Sequence, residues 1–324
     1  MVSLEYRDMH PPDSSAHAPA VSRRLTAYSF VGLTGRLRCL LSGMALAEAT
    51  DRQFCMYWPR TTHCGASFLD LFSNEWPVVD VDAADVASHR RRSFAATGPI
   101  PDLRTSSDGH LHITSGTWMV PMRESGTPGP LARRCGELFD SLQPTEEIRG
   151  LVHDFVRRSF RPAMVGVHVR RGDFVSVYPN IVDSIDRTTA AVDRYLEEAP
   201  AAGVLLCTDD GAELPRGAVA PAFGVAAHFG RRYGDRLVRY SPRSLNRAEP
   251  IAVIDSLVEL LLLRRTHWFV GTGASGYSDF VAFRRAAPSV LVDHGTESHG
   301  GSRPGRWPRG IDMLMRRLFS GGGR

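Results

Sequence analysis

A buried strand that runs directly into a cluster of charge sets the strongest constraint on the fold. Residues 164–169 read Met-Val-Gly-Val-His-Val, and the charged stretch Arg170-Arg171-Gly172-Asp173 follows at once. A nearly continuous apolar run of this length is typical of a central strand in a parallel sheet, since both of its faces are covered. Ligands of open α/β sheets bind beyond the carboxyl ends of the strands, so the two guanidinium groups are well placed for a phosphate. The alternative is an ordinary charged turn.

Strands and helices alternate after this point. The pattern predicts strands at 204–207, 236–240, 267–270 and 290–293, and helices at 188–198, 248–264 and 277–286. Such alternation is typical of a parallel sheet covered by helices on both faces. A Gly/Pro-rich loop is expected between 210 and 236.

An earlier unit of the same kind begins with a strand at 25–31, a glycine-bearing turn, a helix at 37–50 and a strand at 53–58. Residues 60–130 are expected to be the least regular, with a short strand at 77–81. Helices are predicted at 131–142 and 146–160. We therefore expect an α/β chain with two Rossmann-like domains, 23–160 and 161–295. A disordered segment, 1–22, would precede them, and a Gly/Arg-rich tail, 296–324, with a docking helix at 311–319 would follow.

Composition narrows the function classes. All 39 basic residues are arginine, which excludes a Walker A lysine and a lysine Schiff base. The net charge of +4 favours anionic ligands, but the arginines are spread along the chain without interleaved aromatic residues, unlike those of a nucleic-acid binder. Five scattered cysteines predict reduced thiols. Without a long apolar run or a signal-like N-terminus, we expect no integral membrane segment and a cytoplasmic protein.

Two glycine-bearing segments follow predicted strands. Gly32-Leu33-Thr34-Gly35-Arg36 leads into the first helix, and such a turn aims backbone N–H groups at an anion or is simply a tight connection. Gly271-Thr272-Gly273-Ala274-Ser275-Gly276 is a literal GxGxxG, the dinucleotide fingerprint. It lies in the last βαβ unit, and only one strand follows, so a loop that holds one end of a diphosphate is the more economical interpretation.

Three acidic features complete the candidates. Asp255 lies on an otherwise apolar helix, where it is either a partly exposed or arginine-paired acid or a group that hydrogen-bonds the polar edge of a base. Thr208-Asp209-Asp210 ends a strand. Asp80-Val81-Asp82 matches a metal-binding DxD pattern but lies in a generic acidic stretch, so we expect solvated surface and no metal site.

Together these stretches resemble the fucosyltransferase superfamily, which includes bacterial α1,2- and α1,6-fucosyltransferases, nodulation fucosyltransferases and protein O-fucosyltransferases. The resemblance covers about residues 25–293. It rests on the HxRRGD stretch at 168–173, the glycine loop at 32–38, the Thr-Asp-Asp at 208–210 and the helix–strand–loop at 254–275.

The resemblance implies a GT-B architecture, GDP-fucose as donor, a glycan or small molecule as acceptor, and inverting transfer without a metal ion. It implies that Arg170 grips the β-phosphate, that His168 and Asp255 face the guanine, and that Thr272 and Ser275 contact the phosphates. The implied donor site also includes Gly32, Gly35, Arg36, Arg171, Asp209 and Gly273.

The chain departs from the family pattern in two places. The family loop usually carries Gly-Asn where this chain has Thr34-Gly35, and the acidic base candidate of some relatives falls near Tyr178. Asp173 is then the nearest carboxylate, with Asp183 and Asp186 as substitutes. A nucleotide-sugar-binding homologue with impaired catalysis and an NAD-dependent oxidoreductase remain the alternatives.

Overall fold

The computed structural model describes residues 23–81, 88–89, 93–100, 109–123, 127–172, 184–210 and 224–293. Within these residues the chain builds two five-stranded sheets, one after the other, and all strand pairs are parallel. Both sheets have α-helical connections, as the alternation of strand and helix patterns predicts. The α/β fold class expected from the sequence is therefore confirmed.

The first sheet has the order β3-β2-β1-β5-β4. Its strands are β1 (Arg24–Tyr28), β2 (Gln53–Tyr57), β3 (Val78–Val79), β4 (Phe94–Ala96) and β5 (His110–Ser115). Strand β1 is central, and Leu25 and Ala27 on one of its faces are fully buried. Helix α1 (Leu33–Ala49) connects β1 to β2. This connection places the start of α1 at the carboxyl edge of the sheet.

The second sheet has the order β10-β9-β6-β7-β8. Its strands are β6 (Met164–Val169), β7 (Gly203–Thr208), β8 (Leu237–Val238), β9 (Trp268–Thr272) and β10 (Ser289–Val292). Every residue of β6 and β7 is buried, as expected for strands covered on both faces. Because β6 lies between β7 and β9, three candidate loops meet at its carboxyl end, namely those that follow residues 169, 208 and 272.

The remaining helices pack around and between the sheets. They are α2 (Pro130–Asp140), α3 (Glu146–Ser159), α4 (Ser184–Glu198), α5 (Val225–Tyr233), α6 (Pro250–Arg264) and α7 (Gly276–Ala282). Among the described helices, none is long and apolar enough to cross a membrane.

One buried apolar cluster continues from the first sheet unit into the second. At this junction, the rings of Trp118 and Phe139 lie 4.8 and 5.6 Å from the ring of Phe283, and both also contact Phe280. The Arg264 guanidinium lies 4.4 Å from the Phe139 ring centroid. The two sheet units are therefore joined by shared apolar packing as well as by the chain. The division at residue 160 stays a prediction.

The structure corrects several predicted elements. Helix α1 begins at Leu33 rather than Leu37, so Gly35 and Arg36 belong to its first turns. Two strands, β4 and β5, lie in the segment expected to be irregular, and α5 lies in the region expected to be a loop. Residues 1–22 and 294–324, including the predicted docking helix, are outside the described part of the chain.

Candidate active site

Two neighbouring cavities open where the sheet units face each other. The smaller, of about 90 Å³, lies over the carboxyl ends of β6 and β7, and its lining includes His168, Asp209 and Glu259. The larger, of about 260 Å³, lies between the start of α1 and the loop after β9. The two cavities share part of their lining, namely Arg170, Arg247, Ser256 and Tyr277. Among the predicted site residues that the structure describes, Arg170 alone lines both cavities.

Asp209 fixes the position of Arg170. The Arg170 side chain forms an ion pair with Asp209, and both side chains are more than four-fifths buried. The same carboxylate accepts the backbone N–H of Arg171 at 2.5 Å. The next residue, Gly172, has a φ of +26°. A Cβ at this position would lie only 2.6 Å from Asp209 Oδ2, so there is no room for a larger side chain. The tight loop after β6 thus brings Arg170 and Asp209 together, as the shared sheet edge predicts.

Hydroxyl groups tie the loops after β6 and β9 together. Thr272 Oγ1 accepts the Arg170 backbone N–H at 2.9 Å and donates to the His168 carbonyl at 3.0 Å. Ser278 Oγ lies 2.7 Å from His168 Nδ1 and accepts the Thr272 N–H at 3.0 Å. The Thr272 hydroxyl is therefore hydrogen-bonded to the backbone of β6 and the loop after it. Its contact with a phosphate stays a prediction.

His168 is held as a neutral imidazole. Burial lowers its pKa to about 3, and the nearby charge of Arg170 acts in the same direction. Its ring centroid lies 4.6 Å from that of Tyr277. A neutral ring in this position can stack or hydrogen-bond but does not act as a cation near neutral pH.

Gly273 and Ser275 shape the loop after β9. A Cβ on Gly273 would lie 2.6 Å from Asp293 Oδ1, so the glycine allows a close approach to the neighbouring strand end. Ser275 caps α7 by accepting the Ser278 N–H and also lines the larger cavity. Of these two predicted donor-binding residues, the structure places only Ser275 at the cleft wall.

Gly32, Gly35 and Arg36, at the start of α1, contribute backbone rather than charge to the cleft. Gly32 and Gly35 line the larger cavity, whereas Arg36 is fully buried. The Arg36 guanidinium donates to the Val31 and Pro59 carbonyls at 2.8 and 2.5 Å and to Thr61 Oγ1 at 2.9 Å. These contacts engage all three guanidinium nitrogens, so Arg36 anchors the connection after β2, and it lines neither cavity.

Arg38 faces the larger cavity from the second turn of α1. It is almost fully buried, donates to the Gly276 carbonyl and lies 3.7 Å from Asp279. Burial lowers the pKa of this guanidinium. Arg38 thus links α1 to α7 across the cleft, a role that its place in the glycine segment did not reveal.

Arg171 points into the protein. Its residue is 2% exposed, and its three guanidinium nitrogens have no hydrogen-bond partner among the described residues. It lines neither of the two cavities. The structure therefore brings only the first arginine of the pair to the cleft.

Asp255 is the arginine-paired acid that its sequence position allowed as one alternative. Its buried carboxylate accepts the Tyr240 hydroxyl at 2.8 Å, and Arg243 donates to it from Nη2 at 2.7 Å and from its backbone at 2.6 Å. It lines neither cavity. The guanine-facing role implied by the resemblance stays a prediction, and this ion pair would have to open for it.

Glu259 is a cavity residue that the sequence reasoning missed. It lies one helical turn after Asp255 on α6, and burial raises its pKa to about 8. Its carboxyl is hydrogen-bonded to the Cys207 thiol. A carboxyl with this pKa is mostly protonated at neutral pH and can donate a hydrogen bond. Its position in an apolar helix, like that of Asp255, was the available signal.

The remaining candidates are less informative. Asp173 and Asp183 lie outside the described residues, as does Asp82 of the DxD pattern, while Asp80 is exposed. In the described part of the chain, no group of three or more His, Cys, Asp or Glu side chains is arranged to hold a metal ion.

Solved structures provide the comparison. NodZ α-1,6-fucosyltransferase, soaked with GDP-fucose, matches with a TM-score of 0.53 and 16% identity, over 81% of this chain and 92% of its own. Fucosyltransferase NodZ from Bradyrhizobium matches at 0.51 and 16%, over 80% and 92%. POFUT1 in complex with GDP matches at 0.51 and 13%, over 83% and 98%. The chain has the fold of these fucosyltransferases.

This likeness confirms the resemblance at the level of the fold, including its GT-B-like pair of parallel-sheet units. No protein-family model matches the sequence, and no curated protein matches it either.

Proposed function

We propose that the chain is a glycosyltransferase that binds a GDP-sugar, with GDP-fucose as the donor, and transfers the sugar to an acceptor hydroxyl with inversion. The observation that carries the proposal is the position of Arg170. It lies at the border of two cavities, at the carboxyl end of the central strand, with its orientation set by Asp209. The shared fold supports the same reaction class, since related structures were obtained with GDP or GDP-fucose.

The chemistry follows from the charge that develops during transfer. As the anomeric C–O bond breaks, its electron pair moves to the diphosphate, which leaves with an additional negative charge. A guanidinium already in place stabilises that charge without having to reorganise in the transition state. We propose that Arg170 plays this part in place of a metal ion. Chelation with EDTA would then leave the rate unchanged.

A panel of nucleotides tests the proposal. GDP and GDP-fucose should raise the melting temperature of the protein, while UDP, ADP and NAD should not. Arg170→Ala should remove the shift. As a matched control, Arg149→Gln removes one arginine charge from the exposed surface of α3 and should keep the shift. Stabilisation by NAD alone would identify an oxidoreductase instead.

A binding protein with impaired transfer is the second candidate. No carboxylate lines the larger cavity among the described residues, and Thr34-Gly35 replaces the Gly-Asn of the family loop. Release of GDP from GDP-fucose, measured with and without a mixture of acceptor glycans, separates the two. GDP binding without any transfer or hydrolysis would favour the second candidate.

A further inference from the structure

The border between the two cavities carries a second arginine. Arg170, Arg247, Ser256 and Tyr277 line both spaces. A ligand that fills both cavities has to cross this border. If the nucleoside occupies one space and the sugar the other, the group that crosses is the diphosphate. Arg247 was not singled out by any sequence pattern.

The charges at the border favour a second cation. Arg170 is already paired with the carboxylate of Asp209, so this pair has no net charge. Glu259, in the smaller cavity, has a pKa of about 8 and adds little negative charge at neutral pH. A nucleoside diphosphate carries several negative charges, which a neutral pair does not balance. Arg247 is the second arginine that lines both cavities at this border.

The backbone around Arg247 is fixed in position. Asn246 closes a turn, because its side-chain oxygen accepts the Ala248 N–H at 3.1 Å and its carbonyl accepts the Glu249 N–H at 2.9 Å. Earlier in the loop, Arg243 is held by the buried Asp255. A side chain presented by such a loop loses less conformational entropy when it binds a ligand.

The first sheet unit also holds this loop. The Gly65 N–H donates to the Arg247 carbonyl at 2.8 Å. A Cβ on Gly65 would lie 2.0 Å from the Ala248 carbonyl oxygen, so only glycine allows this approach. The position of Arg247 therefore depends on contact between the two sheet units.

We propose that Arg247 is a second guanidinium for the diphosphate of the donor and that Gly65 is its positioning residue. The inference rests on the proposed function, since it assigns a role within the same cleft. It adds a specificity element, because two arginines distinguish a nucleoside diphosphate from a nucleoside.

The decisive experiment compares GDP with guanosine on the full chain by calorimetry. Arg247→Gln should weaken GDP binding by about 10-fold or more, since a charge-assisted hydrogen bond contributes about 1.5–3 kcal/mol. Guanosine binding should change by less than about twofold. Arg149→Gln should match the wild type for both ligands. Equal GDP affinity in Arg247→Gln, or an equal loss for both ligands, would overturn the inference.

A second variant tests the positioning role. Gly65→Ala should shift the loop and reduce GDP affinity while sparing guanosine. In the double variant with Arg247→Gln, the loss should be no greater than that from Arg247→Gln alone, because both changes act through the same guanidinium. Additive losses would exclude Gly65 as the positioning residue. Failure of the wild type to bind GDP would instead refute the proposed function, and the inference with it.

Discussion

Glu259 should make the stability of the protein depend on pH in a defined direction. Its pKa rises from an ordinary value of 4.5 to about 8 in the folded protein, mainly because of burial. Between these pH values, the unfolded chain has lost the proton that the folded protein retains. Folding therefore takes up a proton, and the free energy of unfolding falls as the pH rises from about 5 to 8.

The magnitude follows from the two pKa values. Each unit corresponds to about 1.4 kcal/mol, so the penalty for Glu259 grows by roughly 2–3 kcal/mol between pH 5 and pH 7. Glu259 is intermediate in exposure and lines an open cavity, so water screens part of the effect and we expect about half of this. Glu259→Gln keeps a hydrogen-bond acceptor for Cys207 and removes the titration. The variant should be more stable than the wild type at pH 7, by roughly 1–2 kcal/mol more than at pH 5.

Urea unfolding at pH 5, 6 and 7, followed by tryptophan fluorescence, measures this difference. Glu197→Gln, an exposed carboxyl at the end of α4, is the matched control and should keep the pH dependence of the wild type. If Glu259→Gln had the same pH dependence as the wild type, the carboxyl would not be protonated in the folded state, and the reasoning from burial would be refuted.

Three further outcomes are expected. Gly35→Ala should lower the free energy of unfolding by about 1–3 kcal/mol, measured in urea, since its Cβ would lie 2.3 Å from Val31 Cγ2; a neutral result would contradict the tight contact. Asp255→Ala should cost about 2–3 kcal/mol by thermal and urea unfolding, because it removes a buried partner of Arg243, and a stabilised variant would contradict this. Asp209→Asn should weaken GDP binding in calorimetry, as Arg170 loses its orienting partner; unchanged affinity would show that Arg170 is held by other contacts.

The buried strand β6 and the alternation after it were sufficient to predict the second sheet. The apolar run at 164–169 and the strand–helix pattern place three loops at the carboxyl edge of the sheet. In the structure, Arg170, Asp209 and Ser275 lie close to that edge. The order of parallel strands fixes such neighbours before any side chain is considered.

The first sheet was harder to predict. Strand β5 alternates His110, His112 and Thr114 with the buried residues Leu111 and Ile113, a period-two pattern that is polar on one face. Because loops surround β5, this pattern was not recognised as a strand in the sequence. Such short strands are specified by pairing with β1, which is a contact between distant parts of the chain.

The side chains of the cleft depended on tertiary contacts. Sequence alone could not tell that Arg36 would donate to two backbone carbonyls while Arg38, two residues later and on nearly the opposite side of α1, would reach across to α7. The sequence also could not show that Arg243 would pair with Asp255, or that Glu259 would line the smaller cavity. Each outcome is decided by which partner lies within hydrogen-bond distance after the two units pack.

The aromatic junction of Trp118, Phe139, Phe280 and Phe283 bears on how this protein can be engineered. Either sheet unit, expressed alone, would expose this apolar surface to water and would aggregate or bind chaperones. Grafting a first sheet unit from another protein onto the second sheet unit would therefore need the incoming unit to supply matching rings. Exchanging loops at the rim of the cleft would leave the junction intact.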